Sequence, residues 1–252
     1  MYTRVKTDAE IAFMRESGRQ TALILQALVD QIDVGMTTKE VADIVRAELK
    51  AIPDHGKHAF FGYEGFPEVI CISVNDEVVH GIPSQHRVLE EGDVVGLDYG
   101  VNYRGMITDA ARTVIVGKAD PADVKMQKTT LEALDAGIFM VRDKCKVGDI
   151  AHAIEQVLER GGYGVVRDMV GHGVGHQVHE EPNIPNYGPA GKGPTLETGM
   201  TIAIEPMSTR GGWRVKMEPD GWTIKTADGS RSAHFEDTVL ITKDGAEILT
   251  RL

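Results

Sequence analysis

Apolar residues recur at helical spacing in two segments near the start of the chain. A Thr–Glu pair with the spacing of a capping box precedes each segment, Thr7 with Glu10 and Thr37 with Glu40. The apolar positions are Ile11, Met14, Leu25 and Leu28 in the first segment and Val41, Ile44, Val45 and Leu49 in the second. The pattern therefore predicts two helices.

Short apolar runs take over after the two predicted helices. Residues 69–74 and 94–98 have the composition of buried strands, and residues 109–116 that of a returning strand. We interpret residues 99–105, between the last two strands, as a turn region.

The same order of elements then starts again. Asp120 and Pro121 predict the start of a helix that ends near residue 141, and residues 147–149 open another that stops at residues 161–162. Residues 89–98 and 196–205 share leucine, glutamate, glycine and a terminal acid at identical offsets. This motif can also be a common turn before a strand, but the shared order of elements favours an internal repeat.

Two repeats of two helices and two acid-bearing strands indicate the α+β fold class. We expect one pseudo-symmetric domain in which acids from both halves meet at the centre. Because no linker or low-complexity segment divides the chain, we predict a single domain over residues 1–252.

Composition narrows the class of protein. The net charge of −11 argues against a general nucleic-acid binder, which needs a basic face. The charged N-terminus does not resemble a signal peptide, and no apolar stretch approaches the ~20 residues of a membrane span. Two cysteines are too few for a disulfide scaffold, so we expect them reduced and the protein cytoplasmic.

Four acids interrupt or begin apolar strands: Asp98, Asp109, Glu205 and Glu236. A buried carboxylate costs several kcal/mol unless it is neutralised, paired or bound to a metal. Few cations lie in the same strands; Arg112 is the exception and could pair with one acid. Together with one imidazole, four carboxylates form the ligand set of a two-metal site, and oxygen-rich ligation suits manganese, iron or cobalt.

The imidazole comes from residues 170–182, where glycines and histidines alternate. His172 and His179 are seven apart, an odd separation that places them on opposite faces of an extended segment. A turn must therefore lie between them if both serve one site. For His176 an ordinary surface-loop position is the favoured interpretation.

At these positions the sequence resembles the type I methionine aminopeptidases of bacteria. The motifs that carry the resemblance are residues 75–81, 171–175 and 179–182, with Asp98, Asp109, Glu205 and Glu236. The resemblance covers essentially the whole chain and implies the pita-bread fold. It further implies two divalent metal ions (Co, Mn, Fe, Ni or Zn), with Asp98 on one ion, His172 and Glu205 on the other, and Asp109 and Glu236 bridging.

The resemblance also implies the removal of initiator methionine from nascent polypeptides that have a small second residue. Metal ions would activate a shared water, Glu205 would accept its proton, and His80 and His179 would contact the scissile amide and the oxyanion. We expect a methionine pocket, with core packing as the equal alternative, at Tyr63, Phe66, Cys71 and Trp222. Phe60 and Val178 depart from the family pattern and change the pocket's shape.

Three rival interpretations differ in sequence features. A prolidase or aminopeptidase P carries a separate N-terminal domain, whereas here the catalytic repeat begins by about residue 8. A type II methionine aminopeptidase carries an insertion between its last two acidic ligands, here separated by only 31 residues (236 − 205). A metal-free binding protein on the same scaffold should have lost ligands.

The remaining expectations concern partners. The family favours a monomer, and nothing predicts a membrane or specific DNA partner. Residues 207–233 carry more basic than acidic side chains and are rich in glycine, so a surface hairpin near the site is expected. This loop is a candidate ribosome contact; the alternative is a solvated loop without a partner.

Overall fold

Four α-helices form two consecutive pairs in the computed structural model, which describes residues 2–252. Both predicted capping boxes are present, because Glu10 and Glu40 accept from the backbone N–H groups of Thr7 and Thr37. Asp120 caps the third helix through its side chain. The helices are α1 Asp8–Gln31, α2 Thr38–Ala51, α3 Pro121–Phe139 and α4 Val147–Gly161, with a 3-10 turn at Tyr63–Gly65.

Most strands belong to one antiparallel sheet, in which hydrogen-bonded neighbours follow the order β1-β4-β5-β14-β9-β7-β8, with β2 paired to β4 and β15 paired to β14. Two three-stranded sheets, β13-β10-β6 and β11-β12-β3, flank it. The strands are β1 Lys57–His58, β2 Cys71–Val74, β3 Glu77–Val79, β4 Val94–Tyr103, β5 Met106–Ile115, β6 Gly164–Val165, β7 Gly171–Gly173, β8 Glu180–Ile184, β9 Thr201–Ile204, β10 Met207–Thr209, β11 Val215–Met217, β12 Ile224–Thr226, β13 Ser232–His234, β14 Glu236–Ile241 and β15 Ala246–Ile248.

The predicted turn region at residues 99–105 is wrong. Strand β4 continues to Tyr103, and β5 begins at Met106. Only Arg104 and Gly105 form the turn, both with positive φ, as a tight two-residue hairpin requires. The buried side chains of Tyr99 and Val101 keep the strand in the sheet past the point where the apolar run ends.

Each helix pair packs on its own half of the strands. The first pair shares a buried cluster with β2 and β4, in which Leu25, Val45 and Leu97 are fully buried. The second pair shares a cluster with β9 and β14, built around Ile154 and Ile202. The internal repeat expected from the sequence is therefore present as two helix pairs on one continuous sheet.

Among the helices described for residues 2–252, none combines the length and the apolarity that crossing a membrane requires.

Candidate metal centre and active site

Five strands that are adjacent in the large sheet each bring one polar residue to the same region. Along the order β4-β5-β14-β9-β7, Asp98 and Asp109 lie within β4 and β5, and Glu236 opens β14. Glu205 directly follows β9, and His172 is the middle residue of β7. The two halves of the chain meet between β5 and β14, where Glu236 pairs in register with Ala111.

The four carboxylates are buried, each with at most 9% of its surface exposed. Between residues 2 and 252, no lysine or arginine nitrogen lies within 4.0 Å of any of them. Arg112 instead binds Asp237, 2.8 Å away, so the ion pair considered for Arg112 goes to a different acid.

Burial and mutual repulsion disfavour the charged forms. Burial raises the pKa of Asp98, Glu205 and Glu236 well above the ordinary value, and neighbouring carboxylates raise it further. Burial also raises the pKa of Asp109 to about 7, although a hydrogen bond with Asp98 lowers it. A cation is therefore the missing partner if all four are to be ionised near pH 7.

His172 is oriented to offer a free nitrogen. Its Nδ1 lies 2.9 Å from the carbonyl oxygen of Gly173 and donates to it, which leaves the Nε2 lone pair free. Nε2 is 3.6 Å from Glu205 Oε1, and His172 groups with Asp109 and Glu236 as possible ligands of one ion. Burial lowers the pKa of His172 to about 3, which keeps the ring neutral.

Sequence reasoning missed one residue of this centre. His234 is 3% exposed, and its Nε2 lies 3.4 Å from Glu205 Oε2 and 3.9 Å from Glu236 Oε2. Glu205, His234 and Glu236 form a second group of possible ligands. The signal that could have found it is the spacing of two between His234 and Glu236, which places both on one face of an extended chain.

A cavity of about 110 Å³ opens beside the carboxylates. Its wall includes all four residues expected for the methionine pocket, Tyr63, Phe66, Cys71 and Trp222. The rings of Phe66 and Trp222 meet edge to face with centroids 5.1 Å apart. Phe60 also lines this cavity and is only 7% exposed. The lining residues are Phe60, Tyr63, Glu64, Phe66, Cys71, His80, Asp98, Asp109, Val178, His179 and Trp222.

Two further histidines face this cavity. His179 has its ring 4.5 Å from the His172 ring, so the turn expected between them is present, and its Nδ1 is 3.2 Å from the Tyr63 hydroxyl. His80 has a left-handed backbone, with φ of 61°, and packs edge to face on Trp222. Burial lowers the pKa of both rings, that of His80 to about 4. Residue His176 lies elsewhere, paired with Glu10 at 2.7 Å.

The comparison with known proteins decides the family. A model described as metallopeptidase family M24 matches residues 12–243. The chain belongs to metallopeptidase family M24. Its relatives in family M24 include a methionine aminopeptidase of Clostridium acetobutylicum, 44% identical over 249 residues that cover 98% of each chain.

Solved structures agree with the M24 assignment. The crystal structure of methionine aminopeptidase from Thermotoga maritima has a TM-score of 0.96 and 46% identity, and the match covers 99% of this chain and 100% of that one. The Pyrococcus horikoshii prolidase has a TM-score of 0.78 at 25% identity, and the match covers 63% of that chain. These matches confirm the predicted pita-bread fold and the resemblance to bacterial methionine aminopeptidases. They also confirm that the chain is a metallopeptidase.

Proposed function

We propose that this M24 chain, acting as a single catalytic domain over residues 1–252, removes the N-terminal methionine of polypeptides whose second residue is small. The observation that carries the proposal is the cluster of four buried carboxylates, which no lysine or arginine of residues 2–252 pairs with, placed against an apolar cavity of about 110 Å³. The relatives that resemble the chain over nearly its full length are methionine aminopeptidases.

The donor atoms fit divalent metal ions. Buried oxygens of Asp98, Asp109 and Glu236 have no hydrogen-bond partner among the described residues, as expected of atoms that bind an ion. Asp98, Asp109, His172, Glu205 and Glu236 would hold two ions, and Glu236 belongs to both groups of possible ligands. Oxygen ligands with imidazole nitrogen suit Mn, Fe, Co, Ni or Zn. When bound, such ions would lower the pKa of a water molecule enough to supply hydroxide near neutral pH.

The chain's own residues position the substrate and move protons. Glu205 is the proposed proton acceptor for the attacking water, because its carboxylate belongs to the buried acidic cluster and its two oxygens lie 3.6 Å from His172 Nε2 and 3.4 Å from His234 Nε2. A Tyr63 hydroxyl that donates to His179 Nδ1 leaves the proton of that ring on Nε2. His179 and His80, both neutral near pH 7, would then donate to the scissile amide and to the oxyanion.

The cavity wall selects the side chain. Cys71 is buried beside Phe66 and Trp222 and presents a soft sulfur to an unbranched apolar guest. Burial raises the pKa of the Cys71 thiol well above its ordinary value, so it stays an uncharged wall residue. An apolar pocket of this size next to the metal centre accounts for a preference for methionine at the N-terminus.

A direct assay tests the proposal. We expect the metal-loaded protein to cleave Met-Gly-Met-Met and to cleave an Xaa-Pro peptide or Met-Lys and Met-Phe peptides at least about 100-fold more slowly. Activity should vanish with chelator and return with added divalent metal. Cleavage of Xaa-Pro at a comparable rate would instead favour a prolidase, and metal-independent turnover would reject a metal centre.

Substitution of the two cavity histidines separates substrate contact from metal binding. We expect His80→Ala and His179→Ala to retain both metals and to lower kcat by roughly 10²–10³, because each removes one donor to the developing charge. Steady-state kinetics paired with metal analysis is the measurement. A variant that loses metal along with activity would move its histidine into the ligand set.

The ribosome contact expected for residues 207–233 stays a prediction. Some of the basic side chains in this segment pair with acids of the same chain, which leaves fewer candidates for the contact. Arg210 and Arg231 both pair with buried Asp123, and Lys225 lies 3.5 Å from Asp76. We therefore expect Arg214→Glu with Lys216→Glu to weaken ribosome co-sedimentation in a salt-dependent way while peptide turnover is retained. Unchanged co-sedimentation would show that the loop makes no such contact.

The cytoplasmic location and the monomeric state also stay predictions from the sequence.

A further inference from the structure

His234 is the buried histidine whose role the proposed mechanism leaves open. It ends β13, two residues before the metal ligand Glu236. The Thr113 hydroxyl binds its backbone on both sides: it donates to the carbonyl oxygen of His234 at 2.7 Å and accepts from its N–H at 2.9 Å. These two hydrogen bonds hold the backbone of His234 in place, and with it the point from which the imidazole reaches toward Glu205 and Glu236.

One ring nitrogen of His234 lacks a hydrogen-bond partner among residues 2–252. His234 Nε2 is buried and forms no hydrogen bond with any described residue. Buried polar atoms of native proteins nearly always have a partner, so this nitrogen calls for one, such as an ion, a ligand or a water molecule. Glu205 and Glu236 are the carboxylates that face it, at 3.4 and 3.9 Å.

These separations match ligands of a common ion. Atoms bound to one ion at about 2.1 Å are about 3.0–4.2 Å apart, depending on the angle between them. The distance of 3.6 Å from His172 Nε2 to Glu205 Oε1 lies in the same range. We propose that His234 is a further metal ligand, whose Nε2 binds the ion held by Glu205 and Glu236. This inference rests on the proposed metal centre.

A second imidazole would change the preference of the centre among metals. Carboxylate-rich sites suit manganese, whereas imidazole suits iron, nickel, copper and zinc. A centre that binds its ion through both His172 and His234 should therefore prefer cobalt, iron or nickel to manganese. This preference in affinity should be stronger than in a centre where His172 is the only imidazole ligand. The competing role for His234 is to donate Nε2–H to Glu205 and orient that carboxylate without touching an ion.

Proton NMR of the whole enzyme loaded with Co(II) distinguishes the two roles. An imidazole bound to Co(II) through Nε2 shows one strongly shifted, solvent-exchangeable Nδ1–H signal. The Nδ1–H of His172 donates to the Gly173 carbonyl and provides the reference signal. We expect two such signals in the unmodified protein, one in His234→Gln, and two in the matched control His80→Gln.

Calorimetric titration gives a second readout. We expect His234→Gln to weaken the tightest Co(II) binding by at least about tenfold and Mn(II) binding by less. A single exchangeable signal in the unmodified protein would overturn the inference while leaving the metal centre intact. A protein that takes up no Co(II) at all would overturn the proposed function as well. Because the signal count is made on the unmodified protein, the result does not depend on whether the variant folds.

Discussion

Asp98→Asn and Glu236→Gln should each abolish turnover by loss of metal. An amide oxygen carries no charge, so it is a poor ligand for a hard divalent ion, and both carboxylates have an oxygen without any other partner among the described residues. We expect affinity for at least one ion to fall by about 100-fold or more. Calorimetric titration with Co(II) or Mn(II), paired with peptide cleavage, is the measurement.

The same substitutions should not unfold the metal-free protein. Each removes one carboxyl from a buried group whose members repel one another, so the metal-free variants should be at least as stable as the unmodified chain. Glu64→Gln is the matched control, because Glu64 lines the same cavity but belongs to neither ligand group. Two intact binding sites in Asp98→Asn or Glu236→Gln would overturn the ligand assignment.

The fold was largely predictable because local signals agreed with the tertiary structure. The capping boxes at Thr7 and Thr37 mark helix starts that form as expected. The prediction failed at residues 99–105, which we interpreted as a turn region. Sheet pairing keeps most of this segment in β4, since β4 pairs with β2 up to Asp98, with β1 at Val101 and Asn102, and with β5 as far as Tyr103.

The cluster of acids at the candidate metal centre was predictable to the extent that charged residues interrupted apolar sequence. Asp98 and Asp109 stand out because the strands around them are apolar, whereas His234 lies at the end of a polar, glycine-rich stretch and carries no such contrast. The ion pair between Arg112 and Asp237 could not be derived from the chain alone, because it depends on the pairing of β5 with β14. Proximity of this kind arises only when the two halves of the chain meet.

The stability of the metal-free protein should fall as pH rises from 6.5 to 8. Burial raises the pKa of Asp98, Glu205 and Glu236 well above the ordinary value, and repulsion between neighbouring carboxylates raises it further. The native state therefore retains protons that the unfolded chain has lost. When the pKa of a carboxyl is higher in the native state than in the unfolded chain, the free energy of unfolding falls as the pH rises above the unfolded pKa near 4. Each retained proton costs about 1.4 kcal/mol per pH unit.

The buried histidines set the lower limit, pH 6.5, of the range in which stability should fall. Burial lowers the pKa of His80 to about 4 and that of His172 and His234 to about 3, so these rings oppose folding only as pH falls below the unfolded value near 6.5. Above pH 6.5 the unfolded rings lose their remaining protons, so each histidine adds only about 0.4 kcal/mol of stability up to pH 8, whereas each carboxyl that retains its proton removes about 2 kcal/mol. The trend in this window therefore comes from the carboxyls, with Asp109 contributing only up to about pH 7.

Thermal unfolding after exhaustive chelation measures this effect. For a chain of this size a loss of 1 kcal/mol lowers the Tm by about 2–4 °C, so each carboxyl that retains its proton between pH 6.5 and 8 should lower the Tm by about 4–8 °C. Glu236→Gln should show a shallower slope, because it removes one of the retained protons. Saturating divalent metal should reverse the trend, since ions compete with protons for the same oxygens and bind more tightly as pH rises. A metal-free Tm that is flat or rising across this window would show that the four carboxyls are already ionised without a cation, and would remove the electrostatic argument for a metal at their centre.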